Sequence, residues 1–292
     1  MARVLAVAGG KGGAGKTFVS LSLASLAASR GLRVLLVDAD VSNPSATLCL
    51  APSTQWVKNV ETFLPRIDGS KCVKCLKCVE YCPERALVAV PSKGVTLVEN
   101  LCNGCTLCKL VCPVNAVLDG SRVEGFIKFG RALEIDVLSG ELAVGSRREA
   151  TVIQELIEEA KRVWRGYDAV IIDSPPGTSA KLYPILREAE GIAIVTEPTP
   201  LGLSDFTKFL ELLDRLGKLG RAVAALNKAG LSPSIEARIK ELCESRGIPL
   251  VEVPYSDSVP KAYAERLLTN LSNLGAEVLR GIEGLAKLLG IA

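Results

Sequence analysis

The chain has 292 residues, of which 48% are hydrophobic and 23% are charged, and its formal net charge is +3. This length accommodates about two domains of ordinary size, and so small a charge, spread between both signs, gives no indication of nucleic-acid binding. The sequence contains no His, which excludes histidine ligands and histidine-based catalytic triads.

No apolar run approaches the roughly 20 residues of a transmembrane helix, and the first residues form too short a hydrophobic stretch for a signal peptide. We therefore expect a cytoplasmic protein that does not associate with membranes. Ten Cys in that compartment favour metal ligation over structural disulfides. Eight of the ten lie between Cys72 and Cys112.

Short apolar runs alternate with segments of helical periodicity along most of the chain. The runs have the pattern of strands buried on both faces and cover residues 4–8, 34–37, 169–172, 192–195, 222–226 and 250–253. The helical segments cover residues 18–29, 152–165, 206–216 and 235–246. This alternation predicts an α/β fold with a doubly wound, mostly parallel sheet.

The first predicted strand runs directly into the sequence GGKGGAGKT and then into a helix. Glycines let successive N–H groups turn toward phosphate oxygens, and a helix N-terminus favours negative charge. Lys16 would neutralise the β- and γ-phosphates, and Thr17 would ligate Mg²⁺. The predicted nucleotide-binding residues are Gly10, Lys11, Gly12, Gly13, Ala14, Gly15, Lys16, Thr17 and Phe18. An incidental Gly-rich turn is the alternative, which the full motif in its strand–loop–helix context disfavours.

The alternation stops between residues 55 and 149. Two Cys-rich runs lie there, 30 residues apart, followed by a Gly-punctuated and partly alternating segment over 123–144. We predict an inserted small α+β domain over 61–120 and a β-rich connector over 121–148. The P-loop core would then be formed by two parts of the chain, 1–60 and 149–292.

Both Cys runs end in Pro and fit the spacing C-x₂-C-x₂-C-x₃-C-P, which resembles that of bacterial ferredoxins. In two-cluster ferredoxins the fourth Cys of each run ligates the other cluster. The resemblance implies two [4Fe-4S] clusters, one held by Cys72, Cys75, Cys78 and Cys112, the other by Cys82, Cys102, Cys105 and Cys108. Two Cys₄ zinc sites are the alternative. Cys49 and Cys243 are expected to be core residues.

The second lysine of the loop, Lys11, makes it resemble the deviant Walker A motif KGGxGK[TS] of the MinD/ParA/Mrp and nitrogenase iron protein superfamily. In that superfamily this lysine reaches the nucleotide of the partner subunit. The resemblance implies an ATPase that forms a homodimer when ATP is bound, with Lys11, Lys16 and Asp40 as catalytic residues. Asp40 would orient the attacking water, and the Mg²⁺ would be held by Thr17, Asp40 and Asp173.

Further matches to this superfamily follow along the chain. The resemblance implies that Gly177, in the sequence DSPPGT, contacts the γ-phosphate through its backbone. It also implies contacts with the adenine base, made by Asn227 and Lys228 and by the loop that contains Pro254 and Tyr255. These residues complete the predicted nucleotide site.

The whole arrangement resembles MinD-superfamily ATPases that carry an inserted ferredoxin domain. We expect nucleotide-dependent dimerisation to gate electron transfer through the two clusters to an unidentified redox or acceptor protein. One alternative is an ATPase that assembles iron–sulfur or other metal cofactors. Another is a MinD-like spatial regulator at the membrane. It rests on one apolar face of the C-terminal segment, formed by Leu279, Ile282, Leu285, Leu288 and Leu289. A helix that packs on the core gives the same pattern.

Overall fold

The computed structural model describes residues 2–10, 12–266 and 268–291. The chain divides into two compact units. Unit 1 comprises Met1–Lys58 and Phe126–Ala292, and unit 2 comprises Asn59–Gly125. No helix in the described ranges is long and apolar enough to cross a membrane.

The described strands are β1 (Arg3–Ala8), β2 (Val34–Asp38), β3 (Ser53–Ile67), β4 (Leu87–Val90), β5 (Gly94–Leu97), β6 (Val117–Ala132), β7 (Ile135–Leu142), β8 (Ala169–Asp173), β9 (Gly191–Thr196), β10 (Ala222–Ala229) and β11 (Leu250–Pro254). The α-helices are α1 (Lys16–Ser29), α2 (Ser45–Leu50), α3 (Lys77–Glu80), α4 (Leu107–Leu110), α5 (Glu149–Val163), α6 (Tyr183–Glu188), α7 (Pro200–Arg215), α8 (Pro233–Ser245), α9 (Ser258–Ala264) and α10 (Ala276–Leu289).

Unit 1 is built on a parallel sheet with strand order β11-β10-β9-β1-β8-β2-β7. Every residue of β2, β8 and β9 is buried, as expected for strands covered by helices on both faces. The six predicted strands and four predicted helices are confirmed, with boundaries that differ by a few residues. The predicted α/β fold with a mostly parallel sheet is therefore confirmed.

Two strands of this region differ from the expectation. The predicted connector contains β7, which pairs in parallel with β2 as part of the main sheet. Polar residues such as Asp136 and Glu141 interrupt its apolar pattern, which conceals a core strand in the sequence. The long strand β3 was not predicted, because most of its residues are at least partly exposed and its sequence has no continuous apolar run.

Unit 2 contains two short helices, α3 and α4, and the antiparallel pair β4–β5. The strands β3 and β6 contribute residues to both units. A small core in unit 2 is formed by Cys78, Leu87, Cys108 and Val117. The helices begin at matching positions of the 30-residue repeat, after the left-handed residues Leu76 (φ +60°) and Thr106 (φ +63°).

The C-terminal helix α10 packs its apolar face into the core of unit 1. Ile282, Leu285 and Leu289 are buried there, whereas Leu288 is 48% exposed. The leucines that suggested a membrane-binding face are thus largely used in core packing.

Candidate nucleotide site and cysteine-lined cavities

The predicted phosphate loop and the polar residues around it lie at one edge of the unit 1 sheet. Strand β1 ends at Ala8, just before the loop, and β8 ends at Asp173. Asp40 follows the end of β2, and Asn227 lies near the end of β10. Because ligands of open α/β sheets bind beyond the carboxyl ends of the strands, these residues form one candidate site.

The backbone of the loop is held by strand β10. Nδ2 of Asn227 donates to the carbonyl oxygen of Ala14 at 2.8 Å, and Nζ of Lys228 donates to that of Gly13 at 3.0 Å. At Gly15, φ is +99° and a Cβ would lie 2.1 Å from Nδ2 of Asn227. Only glycine meets both conditions at this position.

Lys16 is the first residue of α1 and is only 7% exposed. Burial lowers the pKa of its ammonium group, while the carboxylates of Asp173 and Asp40 oppose that change. A buried cation at the N-terminus of a helix suits the phosphate chain of a nucleotide, whose negative charges compensate the lost hydration.

Asp173 is buried and accepts hydrogen bonds from two hydroxyl groups of α1. Oγ1 of Thr17 donates to Oδ2 at 2.8 Å, and Oγ of Ser20 donates to Oδ1 at 3.0 Å. Burial raises the pKa of Asp173 to about 6, although both hydroxyl groups and Lys16 counteract the rise. A hydroxyl and a carboxylate in contact beside a phosphate loop are the oxygen ligands that Mg²⁺ prefers, so Thr17 and Asp173 fit that ion.

Asp38 is fully buried and is the register partner of Asp173 across β2 and β8. Its Oδ2 accepts from the backbone N–H and the hydroxyl of Thr47 at 2.8 and 2.9 Å. Its Oδ1 has no hydrogen-bond partner within the described part of the chain. Burial, reinforced by the charge of Asp173, raises the pKa of Asp38 to about 8. This carboxyl is therefore largely protonated near neutral pH.

Asp40 is half-buried and lies among charged groups that the sequence analysis missed. Burial raises the pKa of Asp40, while Lys16 and Lys181 lower it and Glu149 raises it. Nζ of Lys181 donates to Oε2 of Glu149 at 2.8 Å. Neither residue belongs to a motif of fixed spacing, so only the folded chain reveals this cluster.

The residues predicted to contact the base have other contacts in this structure. Besides holding the loop, Nζ of Lys228 pairs with Oε2 of the buried Glu197 at 2.6 Å. Pro254 ends β11, and the following Tyr255 is exposed. Contact of Asn227, Lys228, Pro254 and Tyr255 with a base stays a prediction.

The remaining predicted residues of the nucleotide site are Lys11, Phe18 and several glycines. Lys11 lies outside the described residues. The side chain of Phe18 is buried in the core of unit 1, which leaves only its backbone for a nucleotide. A Cβ on Gly10 would lie 2.4 Å from Cβ of Asp205, whereas one on Gly12 or Gly177 would meet nothing within 4 Å.

Unit 2 gathers eight cysteines around two cavities with mostly apolar walls. One cavity is lined by Cys72, Cys75, Cys78 and Cys112. The other is lined by Cys82, Cys102, Cys105 and Cys108. Each cavity thus takes three cysteines from one run and the fourth from the other run. The structure brings together the same two sets that the spacing predicts.

Backbone N–H groups reach the fourth cysteine of each run. Ala86 N–H donates to Sγ of Cys82 at 3.3 Å, and Ala116 N–H donates to Sγ of Cys112 at 3.2 Å. Burial raises the pKa of Cys112, but the N–H groups of residues 114–117 outweigh it and leave the pKa below its ordinary value.

The third cysteines of the two runs, Cys78 and Cys108, have pKa values that are raised and not lowered. Burial raises the pKa of Cys108 to about 11 and also raises that of Cys78. Such thiols hold their protons at neutral pH, so their use as thiolate ligands requires the positive charge of a bound metal centre.

Among the described residues, no three His, Cys, Asp or Glu side chains converge closely enough to hold a single metal ion. The cysteines of each set surround a cavity rather than one point. The remaining two lie elsewhere: Cys243 is buried, and Cys49 is half-buried against the core of unit 1.

Comparison with known proteins agrees with the fold and the phosphate loop. The family model of the CobQ/CobB/MinD/ParA nucleotide binding domain matches residues 5–269. Among solved structures, the cell division ATPase MinD of Pyrococcus furiosus is similar with a TM-score of 0.60 and 18% identity, over 99% of both chains. An identity this low shows the fold alone.

The relatives that are similar in sequence include the following three. An uncharacterised protein of Methanocaldococcus jannaschii is 28% identical over 273 residues, which cover 92% of this chain and 90% of the relative. Pyruvate synthase subunit PorD of the same organism is 41% identical over 56 residues, 19% of this chain and 65% of the relative. An iron-sulfur cluster carrier protein of Pyrococcus abyssi is 22% identical over 277 residues, 94% of this chain and 78% of the relative.

Proposed function

Since this chain belongs to the CobQ/CobB/MinD/ParA nucleotide-binding family, we propose that this P-loop ATPase of the MinD/ParA type uses its nucleotide cycle to gate electron transfer through two [4Fe-4S] clusters. The observation that carries the proposal is the pair of cavities in unit 2, each lined by four cysteines drawn from both runs. Those cavities and the spacing of the runs support a ferredoxin-like role for unit 2.

At the nucleotide site, each side chain would have a separate role in ATP hydrolysis. Lys16 would neutralise the β- and γ-phosphates of ATP. Thr17 and Asp173 would hold Mg²⁺, which supplies charge neutralisation at the phosphate oxygens. Asp40, whose pKa burial raises, would orient the attacking water and accept its proton. Asn227 would keep the loop in the conformation that binds phosphate.

The eight cysteines fit two cubane clusters better than two zinc ions. A zinc site places four sulfur atoms about 2.3 Å from one ion, whereas the cysteines of each set are distributed around a cavity wall. Bound [4Fe-4S] clusters would supply one-electron redox chemistry. The chain contributes the apolar lining and the N–H groups of Ala86 and Ala116, which influence the reduction potential.

The proposed cycle involves two kinds of partner. ATP binding would bring two copies of the chain together, with Lys11 of each copy reaching the nucleotide of the other, as the loop sequence suggests. The clusters would exchange electrons with a separate redox protein. In this proposal the ATP-bound homodimer is the state that permits electron transfer.

The test begins with anaerobic purification and quantification of iron, zinc and inorganic sulfide, followed by stepwise reduction with dithionite. The proposal expects about eight iron atoms per chain, a paramagnetic signal on one-electron reduction, and MgATP hydrolysis by the same preparation. Zinc in place of iron, or clusters that low-potential reductants cannot reduce, would reject electron transfer and leave the ATPase assignment standing.

A second candidate function is the assembly of iron–sulfur or other metal cofactors. The similarity to an iron-sulfur cluster carrier protein over 94% of the chain favours it. Complete four-cysteine sets argue for clusters that stay bound, since a transferable cluster is easier to release from an incompletely ligated site. Incubation of the loaded protein with an apo-acceptor decides between them, because only an assembly factor should lose iron to the acceptor in step with ATP hydrolysis.

A third candidate, a spatial regulator at the membrane, has less support. It rested on the apolar face of α10, and that face packs into the core of unit 1. Flotation with anionic liposomes and MgATP tests this candidate directly, and we expect the protein to remain unbound.

A further inference from the structure

The two cysteine runs differ in charge at matching positions of the repeat. Three lysines, Lys71, Lys74 and Lys77, lie beside and between the cysteines of the first run. The second run has uncharged residues at the matching positions, namely Leu101, Gly104 and Leu107. The two cavities, alike in their cysteines, therefore have unlike surroundings.

Residues 71–77, here called the lysine loop, are exposed except for the half-buried Cys72. The apolar side chains of Val73 and Leu76 are 62% and 42% exposed. Cys75, one of the four cysteines of the first cavity, is also exposed. Exposed apolar groups among cations, next to a cluster ligand, form a surface that a redox partner can reach.

The positive charge of the lysine loop is only partly neutralised within the chain. Asp68 pairs with Lys71 at 3.6 Å. Lys74 and Lys77 form no ion pair with any described residue, and neither does the nearby Glu80. Beside the second run, by contrast, the charge of Arg122 is balanced by Glu124 at 2.8 Å.

Lys74 and its counterpart in the second run have the same left-handed backbone conformation. The φ of Lys74 is +54°, and its repeat counterpart Gly104 has a φ of +74°. A residue with a side chain adopts this left-handed conformation at an energetic cost that glycine avoids. The first run thus has a charged side chain at a left-handed position where the second run has glycine.

We propose that the lysine loop is the docking surface for an acidic electron-transfer protein, which exchanges electrons with the cluster held by Cys72, Cys75, Cys78 and Cys112. This inference rests on the proposed function, and it adds that the redox partner has an acidic surface. Opposite charges accelerate the encounter of two proteins, and small polar interfaces are typical of transient electron-transfer complexes. In each encounter the reduced cluster loses one electron and the redox centre of the partner gains it.

The test is stopped-flow oxidation of the dithionite-reduced full-length protein, with an oxidised flavodoxin of strongly negative net charge as the probe. The flavin gains the electron that the cluster loses. We expect the second-order rate constant to fall as salt rises. Substitution of both unpaired lysines, Lys74→Gln and Lys77→Gln, should lower it about tenfold at low ionic strength. The variant Lys74→Gly, which retains the left-handed backbone, should also lower it.

Three controls separate docking from other effects. Lys109→Gln removes an exposed lysine of unit 2 that pairs with Asp119, and it should leave the rate unchanged. Glu80→Gln removes a negative charge near the loop and should raise the rate. Cytochrome c, a basic oxidant, should react with the Lys74→Gln/Lys77→Gln protein at least as fast as with the wild type.

The outcomes distinguish this inference from the proposed function. The docking surface would be overturned if the wild type and the Lys74→Gln/Lys77→Gln variant reacted with flavodoxin at equal rates. It would also be overturned if Lys109→Gln lowered the rate as much as the double variant does. In both cases the clusters would remain active. Failure to reduce flavodoxin in a preparation that reduces cytochrome c would also overturn the docking surface. A protein without reducible clusters would react with neither oxidant, which rejects the proposed function itself.

Discussion

Oγ1 of Thr17 donates a 2.8 Å hydrogen bond to Oδ2 of Asp173, which places two of the three predicted Mg²⁺ ligands in contact across α1 and β8. Ser20 donates to the other carboxylate oxygen at 3.0 Å. Asp173 is thus oriented by two hydroxyl groups of α1. Mg²⁺ would enter a site whose ligands are already adjacent.

The variant Asp173→Asn keeps the size of the side chain and removes the charge that Mg²⁺ requires. We expect MgATP hydrolysis to fall on the order of a hundredfold, measured as steady-state phosphate release over a range of Mg²⁺ concentrations. Ser20→Ala is the control, because it removes one hydrogen bond and leaves the carboxylate, and its rate should stay within about fivefold of wild type. Wild-type hydrolysis by Asp173→Asn would contradict the Mg²⁺ assignment.

Asp38 makes the stability of the nucleotide-free protein depend on pH. Folding raises its pKa from 3.8 to about 8, so the folded state binds the proton more tightly than the unfolded state. Its contribution to the free energy of unfolding is therefore fully present below about pH 4 and is lost as pH rises toward 8. Urea unfolding at pH 6, 7 and 8.5 should show decreasing stability.

The variant Asp38→Asn cannot titrate and should flatten this dependence. Asp168→Asn is the matched control, because Arg33 holds the pKa of Asp168 below its ordinary value and that group does not titrate between pH 6 and 8.5. The same slope in Asp38→Asn and the wild type would show that another group is responsible.

The variant Asn227→Ala tests whether this side chain supports the phosphate loop or contacts the adenine base. Nδ2 of Asn227 is bonded to the carbonyl oxygen of Ala14 at 2.8 Å, so Asn227→Ala should loosen the phosphate loop. We expect affinities for ADP, GDP and tripolyphosphate to fall alike, by about tenfold, in isothermal titration calorimetry. A loss confined to ADP would instead assign the side chain to the adenine base.

The assignment of cysteines to two interlocked sets predicts the iron content of double variants. Cys75→Ala with Cys112→Ala removes two ligands of one cavity, so about four of eight iron atoms should remain. Cys75→Ala with Cys82→Ala removes one ligand from each cavity, so both clusters should be weakened or lost. The reverse pattern of iron contents would mean that each run holds its own cluster.

The sequence predicted those parts of the fold that depend on local pattern. The apolar runs of β2, β8 and β9 are long enough to identify buried strands, and the loop before Lys16 has a fixed spacing. The sequence predicted β-structure in the segment that contains β7. It did not predict that β7 belongs to the main sheet, because Asp136 and Glu141 interrupt its apolar pattern. Its place beside β2 depends on pairing between residues more than one hundred positions apart, such as Val34 and Ile135.

In the candidate site, too, local spacing was predictable from the sequence and long-range contacts were not. The spacing of the cysteines predicted two sets, and the cavities of unit 2 contain the same sets. Lys181 and Glu149 could not be found in advance, since their position beside Asp40 arises from the packing of separate segments. The bond from Asn227 to Ala14 is likewise a long-range contact that no local motif specifies.

An EPR-monitored redox titration with MgADP or MgATP shows whether the nucleotide gates electron transfer through the clusters. Asp40→Asn should hold the ATP-bound state by blocking hydrolysis, and Lys16→Ala should abolish the response to nucleotide. We expect cluster signals or midpoint potentials that differ between the two nucleotides in Asp40→Asn and coincide in Lys16→Ala. Identical spectra and potentials with MgADP and MgATP, in a protein that binds both, would rule out gating by nucleotide.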